Sequence, residues 1–326
     1  MASLTYTDAV NEALERLRPV GFEHGRSFVN HAPMAAEALA HMGYADEVPG
    51  WVERNLRKYR YHDVPERRWT IDPADPQDWK AALGDFSRVA DWTALFEREL
   101  TGEPWTEVLA RWWPRLLPGM SGMLTHGVIR TAHAVRAVAA ADGDNRRQLG
   151  ELAQGLGYWA SRYSAGGVRA GTADAGAQPG PETAAEGGDG RDPAVRALDD
   201  LVAEYAGIYA TVSQHHPIPL IHAVTGPAAV RLVAEHLPPE QRWPSYLVAR
   251  AVSRTMLDWF HATPSPAAVL PEAPGVQEVF AQAVQVGDEH TIKLAEVAVR
   301  HEALAPDPRH AAAAHVANQA IGRLNL

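Results

Sequence analysis

The 326-residue sequence contains no cysteine. That absence excludes disulfides, thiolate catalysis, iron–sulfur clusters and cysteine-ligated zinc together. Any metal must therefore be held by histidine, carboxylate or a rarer donor. Basic residues are outnumbered, with 30 Lys and Arg against 40 Asp and Glu for a formal charge of −10. No long Lys/Arg run occurs, which argues against a nucleic-acid surface. No apolar stretch approaches the roughly 18–20 residues of a membrane span, and the N-terminal MASLTYTD has neither a basic n-region nor an apolar h-region. The expectation is a cytoplasmic protein with no nucleic-acid and no membrane partner. Strand-like alternation is also missing over any useful length. The dinucleotide fingerprint is incomplete, because Gly155-Leu156-Gly157 lacks its third glycine and sits in a helical pattern.

What the chain does have is apolar content of 46%, enough for one large core or two modest ones, since cores stop growing near about 250–300 residues. Helical spacing recurs nearly everywhere. Val10, Ala13, Leu14 and Leu17 mark a helix over 6–17 behind a Thr7 or Asp8 cap. A helix opens at Pro33 and stops at Gly43. Further segments are predicted over 46–59, 79–83, 92–101, 105–116, 126–141, 146–163, 198–213, 227–237, 245–260, 276–286 and 290–304. From about residue 165 to 192 the composition turns to Gly, Ala, Pro, Glu and Asp, too poor in apolar residues to offset ordering entropy. The predicted fold class is all-α: a single multi-helix domain over 1–326 with a flexible Gly/Ala/Pro-rich insertion at 165–192.

The stretch Asp288-Glu289-His290-Thr291-Ile292-Lys293-Leu294-Ala295 places a histidine and a lysine three apart, as lateral neighbours on a half-covered helix. Lysine is rarely buried without a partner, so either its charge is paired or its amine is chemically changed. His31, His126 and His222 lie in equally apolar contexts far away in sequence. Together the histidines suggest a metal site assembled from several helices. His31 precedes a helix start and suits either a ligand or a cap. His126, Arg130 and His133 share one helix face. Seven residues, about 10 Å of rise, separate the two histidines, so His126 is assigned to the metal and His133 to its surroundings or a substrate pocket. His222 lies in an apolar run where an unsatisfied imidazole would be costly. His215 and His216 stand beside Pro217 and Pro219 in a stretch expected to be irregular and exposed.

The strings Asn30-His31-Ala32-Pro33-Met34-Ala35, His126-Gly127-Val128-Ile129-Arg130-Thr131-Ala132-His133, Ile221-His222-Ala223-Val224-Thr225-Gly226 and His290-Thr291-Ile292-Lys293-Leu294 occur in that order. In this the chain resembles the questin oxidase-like family over nearly its whole length outside the insertion. It departs from the fungal pattern around His31 and His126. Characterised fungal relatives cleave or oxygenate anthraquinone rings, including steps of Baeyer–Villiger type, and at least one holds a non-haem iron with four histidines and a carboxylated lysine. The resemblance therefore implies His31, His126, His222 and His290 as imidazole ligands and Lys293 as a carbamate ligand of a mononuclear Fe(II). Carbamylation would turn a repelling ammonium into an anionic oxygen donor, and mixed imidazole and oxygen ligation suits iron.

The implied activity is an iron-dependent mono- or dioxygenase using dioxygen on an aromatic polyketide, by C–C cleavage or Baeyer–Villiger-type insertion. Arg130 and His133 would bind substrate oxygens or act as acid/base. Trp112, Trp113 and Trp159 are candidates to line the pocket. NADPH is allowed as an external reductant, and a homodimer is left open. Two other classes compete: a metal-dependent hydrolase, whose usual β/α barrel needs apolar strands that this chain lacks, and a non-enzymatic helical binding protein with ordinary core histidines.

Overall fold

In the computed structural model, which describes residues 3–141, 145–165, 190–265 and 267–324, the chain is all-α, as expected. Among the described residues, fourteen α-helices are accompanied by a two-stranded antiparallel hairpin, β1 (Glu23–His24) with β2 (Phe28–Val29). All but residues 165 and 190–192 of the expected insertion lie outside the described residues. The chain divides into two compact units, Met1–Ser164 and Ala165–Leu326.

The first unit holds α1 (Tyr6–Leu17), α2 (Ala32–His41), α3 (Val48–Lys58), α4 (Pro76–Ala82), α5 (Val89–Gly102), α6 (Trp105–Leu116), α7 (His126–Ala140) and α8 (Arg146–Ser161). In α1 the side chains of Ala9, Val10, Ala13 and Leu17 are buried, and the Thr5 hydroxyl accepts from the Asp8 amide, the ordinary way to satisfy an orphan N–H at a helix start. Helices α7 and α8 approach closely because glycines face the contact. A Cβ at Gly127 would stand 2.6 Å from the Trp159 Cα, and one at Gly155 would stand 3.1 Å from the Thr131 Cα. The apparent remnant of a nucleotide fingerprint, Gly155 and Gly157, is thus explained by helix packing. Trp112, Trp113 and Trp159 belong to this unit's core. The Trp113 and Trp159 rings meet edge to face at 5.1 Å, and Trp112 stacks edge-on against Trp92. These contacts give them a packing role, since large rings bury much apolar area in a core.

The second unit holds α9 (Pro193–Thr211), α10 (Pro217–Ala234), α11 (Pro239–Trp259), α12 (Val276–Val286), α13 (Glu289–Leu304) and α14 (Pro308–Leu324). Helix α10 begins ten residues before the predicted 227–237 segment. Pro217 and Pro219 sit in its first turn, where a missing N–H costs nothing, rather than breaking it. Pro227, inside the helix, frees the Ala223 carbonyl, which instead accepts from the Ser253 hydroxyl of α11 at 2.9 Å. By length and composition α10 could cross a membrane, yet 83% of it is buried inside the protein, as in a core helix. Helix α14 was not anticipated at all. Its buried face is made of His310 and small residues such as Ala313, Ala314 and Ala317, which leave little amphipathic signal.

Candidate metal centre

Both ligand candidates of the first unit sit where helices begin. His31 is the residue before α2 and makes no side-chain cap, which leaves its ring for other work. Its Nε2 lies 2.7 Å from the Nε2 of His126, the first residue of α7. His126 is delivered by three successive non-glycine residues with positive φ, Met123 (46°), Leu124 (52°) and Thr125 (64°). Left-handed backbone costs an L-residue roughly 1–2 kcal/mol, so this run persists only because its surroundings impose it, and strain of this kind concentrates at functional sites. The turn brings the Met123 carbonyl onto the His126 ring, whose Nδ1–H donates to it. The Nε2 lone pair of His126 is thereby left pointing at His31.

In the second unit the same chemistry is reached by different means. His222, in the second turn of α10, donates from Nδ1 to the carbonyls of Ile218 (3.1 Å) and Pro219 (3.2 Å). His290 stands in the first turn of α13, where one oxygen of the capping residue Asp288 accepts both its amide (2.9 Å) and its ring Nδ1–H (3.0 Å). A carboxylate behind the far nitrogen is the arrangement that orients a metal-ligating imidazole and raises its basicity. The two rings meet edge to face with centroids 5.6 Å apart. Lys293, one turn further along α13, is fully buried, and its Nζ has no hydrogen-bond partner among the described residues. Burial pushes its pKa down to about 8, against the upward pull of the nearby Glu289 and Asp288. A neutral amine is therefore within reach near physiological pH.

His31, His126, His222 and His290 are all buried, and as a group they could hold a metal ion. The donor chemistry fits a cation. In His126, His222 and His290 Nδ1 donates to an oxygen, so the neutral ring keeps its lone pair on Nε2. Two nitrogens bound to one ion at about 2.1 Å and at right angles stand about 3 Å apart, close to the spacing of the first pair. Asp288, Glu289 and His290 form a second, buried group of donors on one turn.

Arg130 and His133 are committed differently. Arg130 holds Glu151 through Nε (2.6 Å) and Nη2 (2.9 Å) and also donates to Gln154 (2.9 Å). The ring Nδ1 of His133 meets Glu37 at 2.6 Å, a carboxylate also held by Arg136 and by the Tyr6 hydroxyl. Burial alone would raise the Glu37 pKa, but Arg136 and His133 keep it well below the usual carboxylate range. This network joins α1, α2 and α7, and so fixes the helices that carry His31 and His126. The void beside His133 within this unit, about 10 Å³, is near the size of one water. Sequence reasoning assigned no role to Asp288, Glu37 or the Met123 carbonyl. Asp288 carried a signal, being an N-cap residue two before a histidine. The other two depend on distant packing and on backbone shape. No family model matches the chain, and no curated protein matches it.

Proposed function

We propose that this protein is a mononuclear, non-haem iron(II) oxygenase of the questin oxidase-like kind, acting on an electron-rich aromatic polyketide of anthraquinone or hydroquinone type. The outcome is C–C cleavage or Baeyer–Villiger-type oxygen insertion. The reading is carried by one observation: four histidines, a pair in each unit, are buried as a group that could hold a metal ion. The resemblance of the strings around them contributes the choice of iron and the substrate class. Bound iron would supply activation of dioxygen beside a phenolate.

The protein's own residues supply the rest. Met123, the Ile218–Pro219 carbonyls and Asp288 hold the rings of His126, His222 and His290 in one tautomer, so that little reorganisation accompanies metal uptake. The neutral Lys293 amine adds to carbon dioxide, forming an N–C bond and releasing one proton. The product is an anionic carbamate in a pocket where an ammonium would repel the metal. NADPH, where a reductant is required, acts from solution.

Elemental analysis of protein purified without chelator tests the reading. About one iron per chain is expected, with oxygen consumption on addition of hydroxylated anthraquinones. Two zinc ions per chain would favour a hydrolase. No metal after anaerobic ferrous reconstitution would leave a helical protein with structural histidines.

A further inference from the structure

The second unit buries another pair of histidines, outside the four of the proposed metal centre. His301 in the last turn of α13 is 0% exposed and His310 in the first turn of α14 is 2% exposed, with ring centres 5.6 Å apart. Nη1 of Arg300 donates to Nε2 of His301 at 3.2 Å, which leaves the proton of the neutral ring on Nδ1. That Nδ1 stands 3.6 Å from Oδ1 of Asp199 on α9, an oxygen that already accepts from Nε of Arg231 on α10 at 2.8 Å. The same carboxylate lies 3.7 Å from Arg191. Neither ring nitrogen of His310 has a hydrogen-bond partner among the described residues. Glu296 holds Arg300 (2.9 Å), and Asp307 holds Arg309 through both oxygens (2.8 and 2.6 Å). Glu302, 3.9 Å from Nδ1 of His310, is 41% exposed, so solvent screens it. Asp200 and Glu204 of α9 act on Arg309, and α12, which also packs on α13 and α14, brings only the exposed Glu278.

A second proton on His301 must sit on Nε2, against the cationic N–H of Arg300. One on His310 has no acceptor within hydrogen-bond reach. Burial accordingly holds both rings below the ordinary imidazole pKa, with Arg300 and Arg231 adding to it at His301 and Arg309 at His310. Helix α14 has little to offset a buried charge, since apart from Ile321 its buried apolar residues are all alanines, which remove little area from water.

We propose that this pair is an acid-operated latch: proton uptake by His301 and His310 undocks the segment from the last turn of α13 through α14, while α9, α10 and α11 stay folded. The released imidazoles take up protons near pH 6.5 and the docked ones do not. Docking is therefore at full strength above that pH and weakens below it. The latch does not rest on the metal reading.

Hydrogen exchange of the full chain after chelator treatment, at pH 7.5 and 5.5 and corrected for intrinsic rates, tests the latch. The opening constant of α14 should rise at least about tenfold more than that of α10 on acidification. His310→Leu should remove most of that rise, and His301→Leu serves where His310→Leu does not dock at pH 7.5. His315→Gln, on the same helix, should keep it. Four results would each overturn the proposal: no selective rise in the native protein, a rise retained by a docked His310→Leu or His301→Leu, α9 to α11 opening together with α14, or a rise abolished by His315→Gln.

Discussion

In the first unit His31 and His126 meet nitrogen to nitrogen at 2.7 Å, whereas in the second His222 and His290 meet edge to face with ring centres 5.6 Å apart. The first pair is self-sufficient as chemistry. With Nδ1 of His126 donating to Met123, its Nε2 can accept from a protonated His31 Nε2, and two neutral imidazoles satisfy each other without an ion. The second pair comes with two buried carboxylates, Asp288 and Glu289, and a buried lysine. Burying those groups is expensive and forming α13 does not require it. The comparison teaches that a need for metal is written mainly in the second unit, while the first contributes geometry imposed by a strained turn.

The sharpest way to break this comparison is His222→Ala. It should remove most of the bound iron, from about one per chain to below about a tenth, while far-ultraviolet helicity stays intact. Unchanged stoichiometry would strike His222 from the ligand set and leave the second pair a packing feature. Next in size is Lys293→Met, which keeps length and removes the amine. Metal affinity should fall by more than about tenfold. In metal-free protein the same change should stabilise the fold by about 1–3 kcal/mol, because a buried polar group with no described partner is replaced by an apolar one. Full loading of the variant would mean that the lysine is no ligand.

Asp288→Asn should act through His290 and cost about 10- to 100-fold in metal affinity, read by competition with a chelator. An effect no larger than that of an exposed aspartate elsewhere would show that the carboxylate is only a helix cap.

The smallest effect concerns acid. In the second unit His301 and His310 are pushed below the ordinary imidazole pKa by burial, His301 further by Arg300, by its neighbour His310 and by Arg231, with Glu296 opposing. Their unfolded counterparts take up protons near pH 6.5. The unfolded chain therefore binds more protons as pH falls below that value, and stability drops. In the first unit the depressed Glu37 contributes stability that is lost only as pH falls through the carboxylate range, from about 4.5 downward. Hydrogen exchange should show α13 and α14 losing protection at a higher pH than α2 and α7. Loss at the same pH in both units would remove this asymmetry.

Much of the helical layout was legible because it is local. The helices Tyr6–Leu17, Trp105–Leu116 and Val276–Val286 match their predicted limits, since apolar spacing and stop signals operate within a few residues. Where the signal depended on context it misled. Pro217 and Pro219 read as breakers, and only their place in a first turn makes them helix starters. The alanine face of α14 is too weakly amphipathic to announce itself.

The histidines were singled out from apolar surroundings and from the resemblance of their strings. Their tautomers were not, because those depend on the Met123 carbonyl in a left-handed run, on Ile218 and Pro219, and on Asp288 as both cap and acceptor. Trp113 and Trp159 were candidates to line a pocket, and their rings pack on each other.

By itself the sequence determined that this protein is helical and that any metal must be held without thiolates, because composition and short-range periodicity need no knowledge of the fold. The tertiary structure decided which imidazole nitrogens donate to carbonyl or carboxylate oxygens, and that the amine of Lys293 is sealed away from water. Those outcomes are sums over contacts between residues distant in the chain, and no window of sequence contains them.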